Sequence, residues 1–247
     1  VIDAAPRGSR LAFGAGAALL LVQLVPLTVF IIDPTVAAWR PAPWTPMPSR
    51  HACSTAYWMA CEAAARGDRL YDDDLYTTAQ PDPAAPRIPR PMGPVGIDPY
   101  EYPPSFLPVP ALLRQVTGDY WGFRRLWFAL TLAAVAGVAV LVARRLDRVM
   151  GTHALWLTPY LLTAPTMIAT LHMGNVQLAA IAAALAAMLL FERGRYAAGG
   201  LALGYVTAGK LFPGLLVVYL LVRREWRAAA WTTAWAAAFA LASLALY

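Results

Sequence analysis

The amino-acid sequence predicts an all-α fold, a polytopic transmembrane helical bundle with a large extracytoplasmic first loop. Three observations predict it: an apolar composition, repeated apolar runs of membrane-spanning length, and arginine clusters in the short segments that flank those runs. Of the 247 residues, 59% are hydrophobic and 14% charged, and the mean hydropathy is +0.51. A soluble domain of ordinary composition carries roughly 25% charged residues, so lipid is the solvent for most of this chain. A formal net charge of +6 would suit a nucleic-acid surface if the basic residues formed one patch. They fall instead in short clusters between apolar runs, a pattern that sets membrane orientation and leaves no nucleic-acid partner to expect.

The spans follow in order. Residues 11–32 form the first apolar run, which meets the ~20 residues needed to cross a ~30 Å hydrocarbon core. Residues 33–119 are rich in Pro, Asp and Trp and hold no crossing, so they form one large extramembrane loop. Residues 126–142, 153–171 and 175–191 are the next three spans, the last two separated by the polar turn at His172, Gly174 and Asn175. Residues 228–246 are the final candidate span. Between them, 196–222 is interrupted by Gly209, Lys210 and Pro213. Two arms of about a dozen residues, each ~18 Å long, would enter and return without crossing, so this stretch is expected to be a broken or re-entrant hairpin with Lys210 at its tip.

Orientation comes from the arginines. Four clusters at 7–10, 144–148, 193–195 and 223–227 hold ten of them, whereas loop 33–119 holds seven Arg against ten acidic residues. The positive-inside rule places the clusters in the cytoplasm and the loop outside a cytoplasmic (inner) membrane. The apolar run at 11–32 lacks a cleavage site and is long enough to remain as an anchor. The chain begins at a valine and stops at the end of an apolar run, so 1–247 is expected to be a single transmembrane domain, the N-terminal part of a longer protein.

Within the loop, Ser54 or Thr55 is expected to cap a helix running to Arg66, with Gly67 ending it and Tyr57, Cys61 and Ala64 at helical spacing. Trp58 beside Tyr57 suits a helix lying in the interface with its apolar side toward lipid. Tyr102, Pro103 and Pro104 fix an extended entry into a second short helix near 107–117. The chain has two cysteines, Cys53 and Cys61; on one straight helix they stand roughly 12 Å apart, beyond the ~7 Å limit of a disulfide. Asp72, Asp73 and Asp74 read as a helix cap or solvated turn, and Trp39, Trp44 and Trp121 as interfacial anchors.

Four segments, AYWMACEAAARGDRLYDDDLY (56–76), PYEYPPSFLPVP (99–110), GNVQ (174–177) and GKLFPGLLVVYLLVRREWR (209–227), together with the first span and large outer loop, carry a resemblance. In order and spacing they are similar to the GT-C superfamily of membrane glycosyltransferases, and within it to glycosyltransferase family 87. That resemblance implies a GT-C-like bundle whose outer loop carries an interfacial helix, and further spans beyond Tyr247. It implies a hexosyltransferase that moves a sugar, mannose by the family's pattern, from a polyprenyl-phosphate-linked donor to a lipid or glycan acceptor at the outer face of the cell-envelope membrane. It also implies an Asp serving as catalytic base about four residues before the loop-helix aromatic; counted back from Tyr57, that position holds Cys53, with His51 nearby.

Such a reaction needs a base for the acceptor hydroxyl and cations or backbone donors for the leaving phosphate. With Cys53 at the expected Asp position, another loop group must take the proton. Glu101 ranks first because it adjoins the rigid Tyr102–Pro103–Pro104 corner, Asp98 second and Asp33 third; 77–92 is expected to be too mobile. His51 also serves, its unperturbed pKa being near 6.5. Lys210, at the hairpin break, and Arg125, at the outer end of the second span, are the donor-phosphate candidates; a snorkelling or anchoring role is the plainer alternative for both. His172, Asn175 and Gln177 are candidates for sugar binding. No metal-ligand spacing, phosphate-binding Gly loop or serine-nucleophile motif appears, so no cofactor is expected. A lipid or sugar transporter is the competing class, and the absence of carboxylates from the proposed spans weighs against it. A non-catalytic family member is the third reading.

Overall fold

The computed structural model describes residues 7–33, 35, 51–80 and 84–246. Trp39 and Trp44 lie outside the described residues. The described chain is all-α, with eleven helices and two small hairpins in its outer loop.

Helix α1 (Arg7–Ile32) and helix α5 (Tyr120–Arg145) are each 26 residues long, and both contain stretches long and apolar enough to cross a membrane. Between them the long loop folds into α2 (Cys53–Arg66), α3 (Asp73–Tyr76) and α4 (Pro108–Thr117), the last preceded by a 3-10 turn at Pro104–Phe106. Strand β1 (Thr77–Thr78) pairs with β2 (Ile88–Pro89), and β3 (Pro91–Met92) with β4 (Val95–Gly96). The stretch read as mobile is therefore hairpinned, and Gly93, at φ 60, makes the β3–β4 turn that other residues rarely adopt.

Gly67 ends α2 in the left-handed conformation, as its position predicts. The N-terminus differs from expectation. The N-cap is Ala52 without a side-chain cap, and Ser54 and Thr55 are buried inside the first turn, where their hydroxyls bond other segments. The apolar side of α2 also packs inward. Tyr57 is fully buried, its ring centroid 4.9 Å from that of Phe106 and 5.2 Å from that of Trp127. Trp58 meets Phe123 edge-on at 5.8 Å. Aromatic pairs of this geometry contribute beyond their buried area, so α2 is clamped onto the top of α5 and the Pro-rich corner. Both cysteines lie on α2 and both are free thiols. Asp72 caps α3, accepting the Asp74 N–H at 3.0 Å.

The run 153–171 is interrupted. Helix α6 (Arg148–Leu162) and helix α7 (Pro165–Met173) meet at a 65° bend. Pro165 lacks an N–H and disfavours a helical residue before it, so α6 stops there and the proline opens α7 instead. Helix α8 (Gln177–Glu192) follows, 16 residues and about 24 Å long.

Helix α9 (Tyr196–Gly209) ends where the hairpin break is expected, at Lys210, and a 3-10 turn at Phe212–Gly214 leads into α10 (Leu215–Val222). Gly200 lies against Trp231 and Thr232, and Gly204 against Trp235 and Ala236. These contacts advance in the same direction along both helices, so α9 runs parallel to α11 (Trp226–Leu246) and α10 makes the return between them. Glu192, Tyr196, Arg223 and Glu225 accordingly line one hollow of about 300 Å³. At the same end Arg145 pairs with Glu192 at 2.6 Å. Three of the arginine clusters thus gather at one end of the bundle, and Lys210 stands at the other, ~21 Å away along the 14 residues of α9.

Candidate functional site

The end of the bundle away from the arginine clusters is assembled around one threonine. The Thr55 hydroxyl donates to the Ala52 carbonyl at 2.6 Å, lies 3.2 Å from that of Gly96, and accepts the backbone N–H of Asp98 at 2.9 Å. The chain leaving β4 is thereby pinned to the first turn of α2. Asp98 is brought beside His51, with Oδ1 2.8 Å from Nδ1. Asp98 is buried, and its other oxygen, Oδ2, has no hydrogen-bond partner among the described residues. The other ring nitrogen, Nε2, is 3.7 Å from Cys53 Sγ. The hydrogen bond to Asp98 and then that to Cys53 push the His51 pKa up to about 10, against a smaller opposing effect of burial. The protonated ring presents one N–H to the carboxylate and the other to the sulfur, which favours the charged form.

A second set of contacts carries Lys210 to the same place. Ser105 donates to the Ala208 carbonyl at 2.7 Å and Tyr205 donates to that of Phe106 at 2.8 Å, tying the Pro-rich corner to the end of α9. Lys210 leaves the helix in an extended conformation. Its Nζ reaches Asn175 Oδ1 at 3.4 Å and stands 5.3 Å from the centre of the Tyr102 ring. Asn175 Nδ2 is 3.5 Å from Cys53 Sγ. A cavity of about 250 Å³ opens here, lined by His51, Cys53, Asp98, Glu101, Tyr102 and Asn175 among others. Glu101 is exposed at its rim, whereas Asp98 is buried in its wall.

Five candidate residues from four separated segments therefore converge: His51, Asp98, Glu101, Asn175 and Lys210. The remaining four do not line this cavity. Asp33 is exposed beyond the end of α1 and takes both the N–H and the hydroxyl of Thr35, at 3.0 and 2.6 Å. Gln177 is exposed, its backbone N–H bonded to Asn175 Oδ1 at 2.9 Å. His172 is buried and stacked on Phe30 with centroids 5.0 Å apart, and neither ring nitrogen has a partner among the described residues. Arg125 is exposed, while its neighbour Arg124 points inward, 4.6 Å above the Phe30 ring. A helix turns about 100° per residue, so adjacent arginines cannot share a face.

Two contributors escaped sequence reasoning. Cys53 was singled out only as a departure from a family pattern, yet it lies between His51 and Asn175. His51, Cys53 and Asp98 each offer one ligand atom within 4.8 Å of the others, although no metal-ligand spacing is visible in the chain, because Asp98 arrives through a tertiary contact. Tyr57 accepts the N–H of Val176 at 3.1 Å, holding the Asn175 turn in place. The His-x-Cys pair at the start of a helix was the available signal for the first; none pointed to the second.

The family model of glycosyltransferase family 87 matches residues 100–247, a stretch that contains Glu101, Asn175 and Lys210. No curated protein and no solved structure matches the chain.

Proposed function

We propose that this chain, which belongs to glycosyltransferase family 87, transfers a hexosyl group from a polyprenyl-phosphate donor to a lipid or glycan acceptor at the extracytoplasmic face of the cytoplasmic membrane. Mannose is the sugar that the family pattern favours. The observation carrying this reading is the meeting of a carboxylate and a cation at one cavity: Glu101 lines it, and Lys210 stands beside it, against Asn175 of its lining. The cavity lies at the end of the bundle away from three arginine clusters, which supports an extracytoplasmic site under the positive-inside rule.

In this reading Glu101 accepts the proton of the acceptor hydroxyl as its oxygen attacks the anomeric carbon. The bond from that carbon to the phosphate oxygen breaks, and polyprenyl phosphate leaves with the electron pair. Lys210 neutralises the charge gathering on the phosphate. Tyr102, whose ring already faces Lys210, offers a wall for the sugar.

Transfer of radiolabelled sugar from polyprenyl-phosphate-mannose, measured in membranes containing the protein, tests the reading. Glu101→Gln is expected to reduce turnover by at least ~10²-fold with donor binding intact, and Lys210→Met to raise the donor KM. Wild-type turnover in Glu101→Gln would remove it as the base, and normal donor dependence in Lys210→Met would leave the lysine an interfacial anchor.

A further inference from the structure

We propose that His51, Cys53 and Asp98 form a binding site for a divalent transition-metal ion, with Zn2+ the ion that their chemistry favours, open on one side to the cavity.

The ligand set comes first. Thiolate, imidazole and carboxylate together suit a borderline-soft ion, and Zn2+ takes all three, whereas Mg2+ and Ca2+ favour oxygen alone. A thiolate and a carboxylate also carry the two negative charges that neutralise the ion. Three protein ligands with a fourth position free is the arrangement of an open zinc site.

The geometry agrees. His51 Nδ1 stands 2.8 Å from Asp98 Oδ1, and an ion entering between them in place of the proton has only to widen that gap to about 3.4 Å, the separation that ideal Zn–N and Zn–O distances give at a tetrahedral angle. One ligand atom from each of the three residues falls within 4.8 Å of the others, so drawing Cys53 Sγ inward onto the ion completes the set. Asp98 supplies the independent observation. Its Oδ2 is buried without a hydrogen-bond partner among the described residues, a costly state for a carboxylate oxygen unless something binds it. The residue is held there by the Thr55 hydroxyl through its backbone N–H at 2.9 Å.

The frame is also stiff. Cys53 opens α2, His51 precedes it by two residues, and α2 is buried along most of its length. Ligands mounted on a packed helix lose little entropy on binding an ion. The open position faces the cavity that Glu101 and Asn175 also line. In the transfer reaction an ion there would act as a Lewis acid on the donor phosphate beside Lys210. That consequence rests on the proposed function; the binding itself does not, and it is read without turnover.

The test uses the purified full chain in detergent, stripped with chelator, incubated with Zn2+ or Co2+ and desalted. Elemental analysis is expected to find one Zn2+ per chain. Co2+ is expected to produce a thiolate-to-cobalt charge-transfer absorption. Cys53→Ser should abolish the absorption, and Asp98→Asn should weaken metal affinity at least ~10-fold, the loss that even an outer-shell change can produce. Cys61→Ser, which alters the other thiol, should keep both signals, so the wild-type band is assigned even if a Cys53 variant folds poorly. Absence of metal above the chelated baseline in the wild type would overturn the site, leaving His51 and Asp98 as an ion pair only. Undiminished metal in folded Cys53→Ser would place the ion elsewhere and overturn it as well.

Discussion

The phenol of Tyr57 accepts the backbone N–H of Val176 at 3.1 Å and donates to the hydroxyl of Tyr102 at 3.2 Å. One oxygen thus joins the outer-loop helix, the start of α8 and the Pro-rich corner. Tyr57→Phe keeps the ring and its aromatic contacts but strips a buried N–H of its acceptor. The expected cost is about 1–3 kcal/mol, seen as a lower melting temperature in detergent. An unchanged melting point would mean that the N–H finds another acceptor.

The parallel pairing of α9 and α11 depends on small residues at their contact. A Cβ on Gly204 would stand 2.8 Å from the Thr232 carbonyl oxygen and 2.9 Å from the Ala236 nitrogen. Backbone cannot rotate away as a side chain can, so Gly204→Ala should destabilise by about 1–3 kcal/mol. Gly137→Ala, with nothing within 4 Å of the new atom, is the control and should be neutral or mildly stabilising, because alanine loses less entropy than glycine in a helix. Thermal melting of the two variants side by side decides whether the close approach is real.

Arg124 is a buried guanidinium whose three nitrogens have no hydrogen-bond partner among the described residues. Its neighbours are the rings of Phe30 at 4.6 Å and Trp121 at 5.8 Å. Cation–π attraction offsets only part of the cost of taking such a charge out of water. Arg124→Met, which keeps the length and removes the charge, should therefore melt at the same temperature or higher. A clear fall would reveal an anion paired with this arginine in the membrane-bound protein.

Membrane orientation is open to a thiol-accessibility measurement in intact cells. The native thiols Cys53 and Cys61 are both buried, so background labelling should be low. A membrane-impermeant maleimide is expected to label Asp73→Cys in the outer loop and to spare Arg145→Cys at the arginine-rich end. The reverse pattern would invert the assignment made from arginine asymmetry.

The sequence by itself determined the class of the protein and most of its helices. Apolar length, Gly67 as a helix stop, and the Pro103–Pro104 entry to the second loop helix are local signals read over a few residues, and the corresponding helix ends stand close to where those signals put them. The interruption at Lys210 was equally legible, because glycine and proline act on the backbone they occupy. Pro165 carried the same kind of signal within the run read as one span, and hydropathy averaged over the window concealed it.

Tertiary structure alone decided which polar residues meet. Glu101 and Asp98 are three positions apart and look alike in the sequence; one is exposed on a rim and the other buried against His51, because the Thr55 hydroxyl binds the N–H of Asp98 and not that of Glu101. Thr55 itself read as a helix cap, a purely local role. Likewise Arg124 and Arg125 differ in nothing but helical phase, and packing against Phe30 settled which turned inward. The physical reason is that a single hydrogen bond across 43 residues leaves no periodicity and no composition in the chain. It exists only after the helices that carry its two ends have packed.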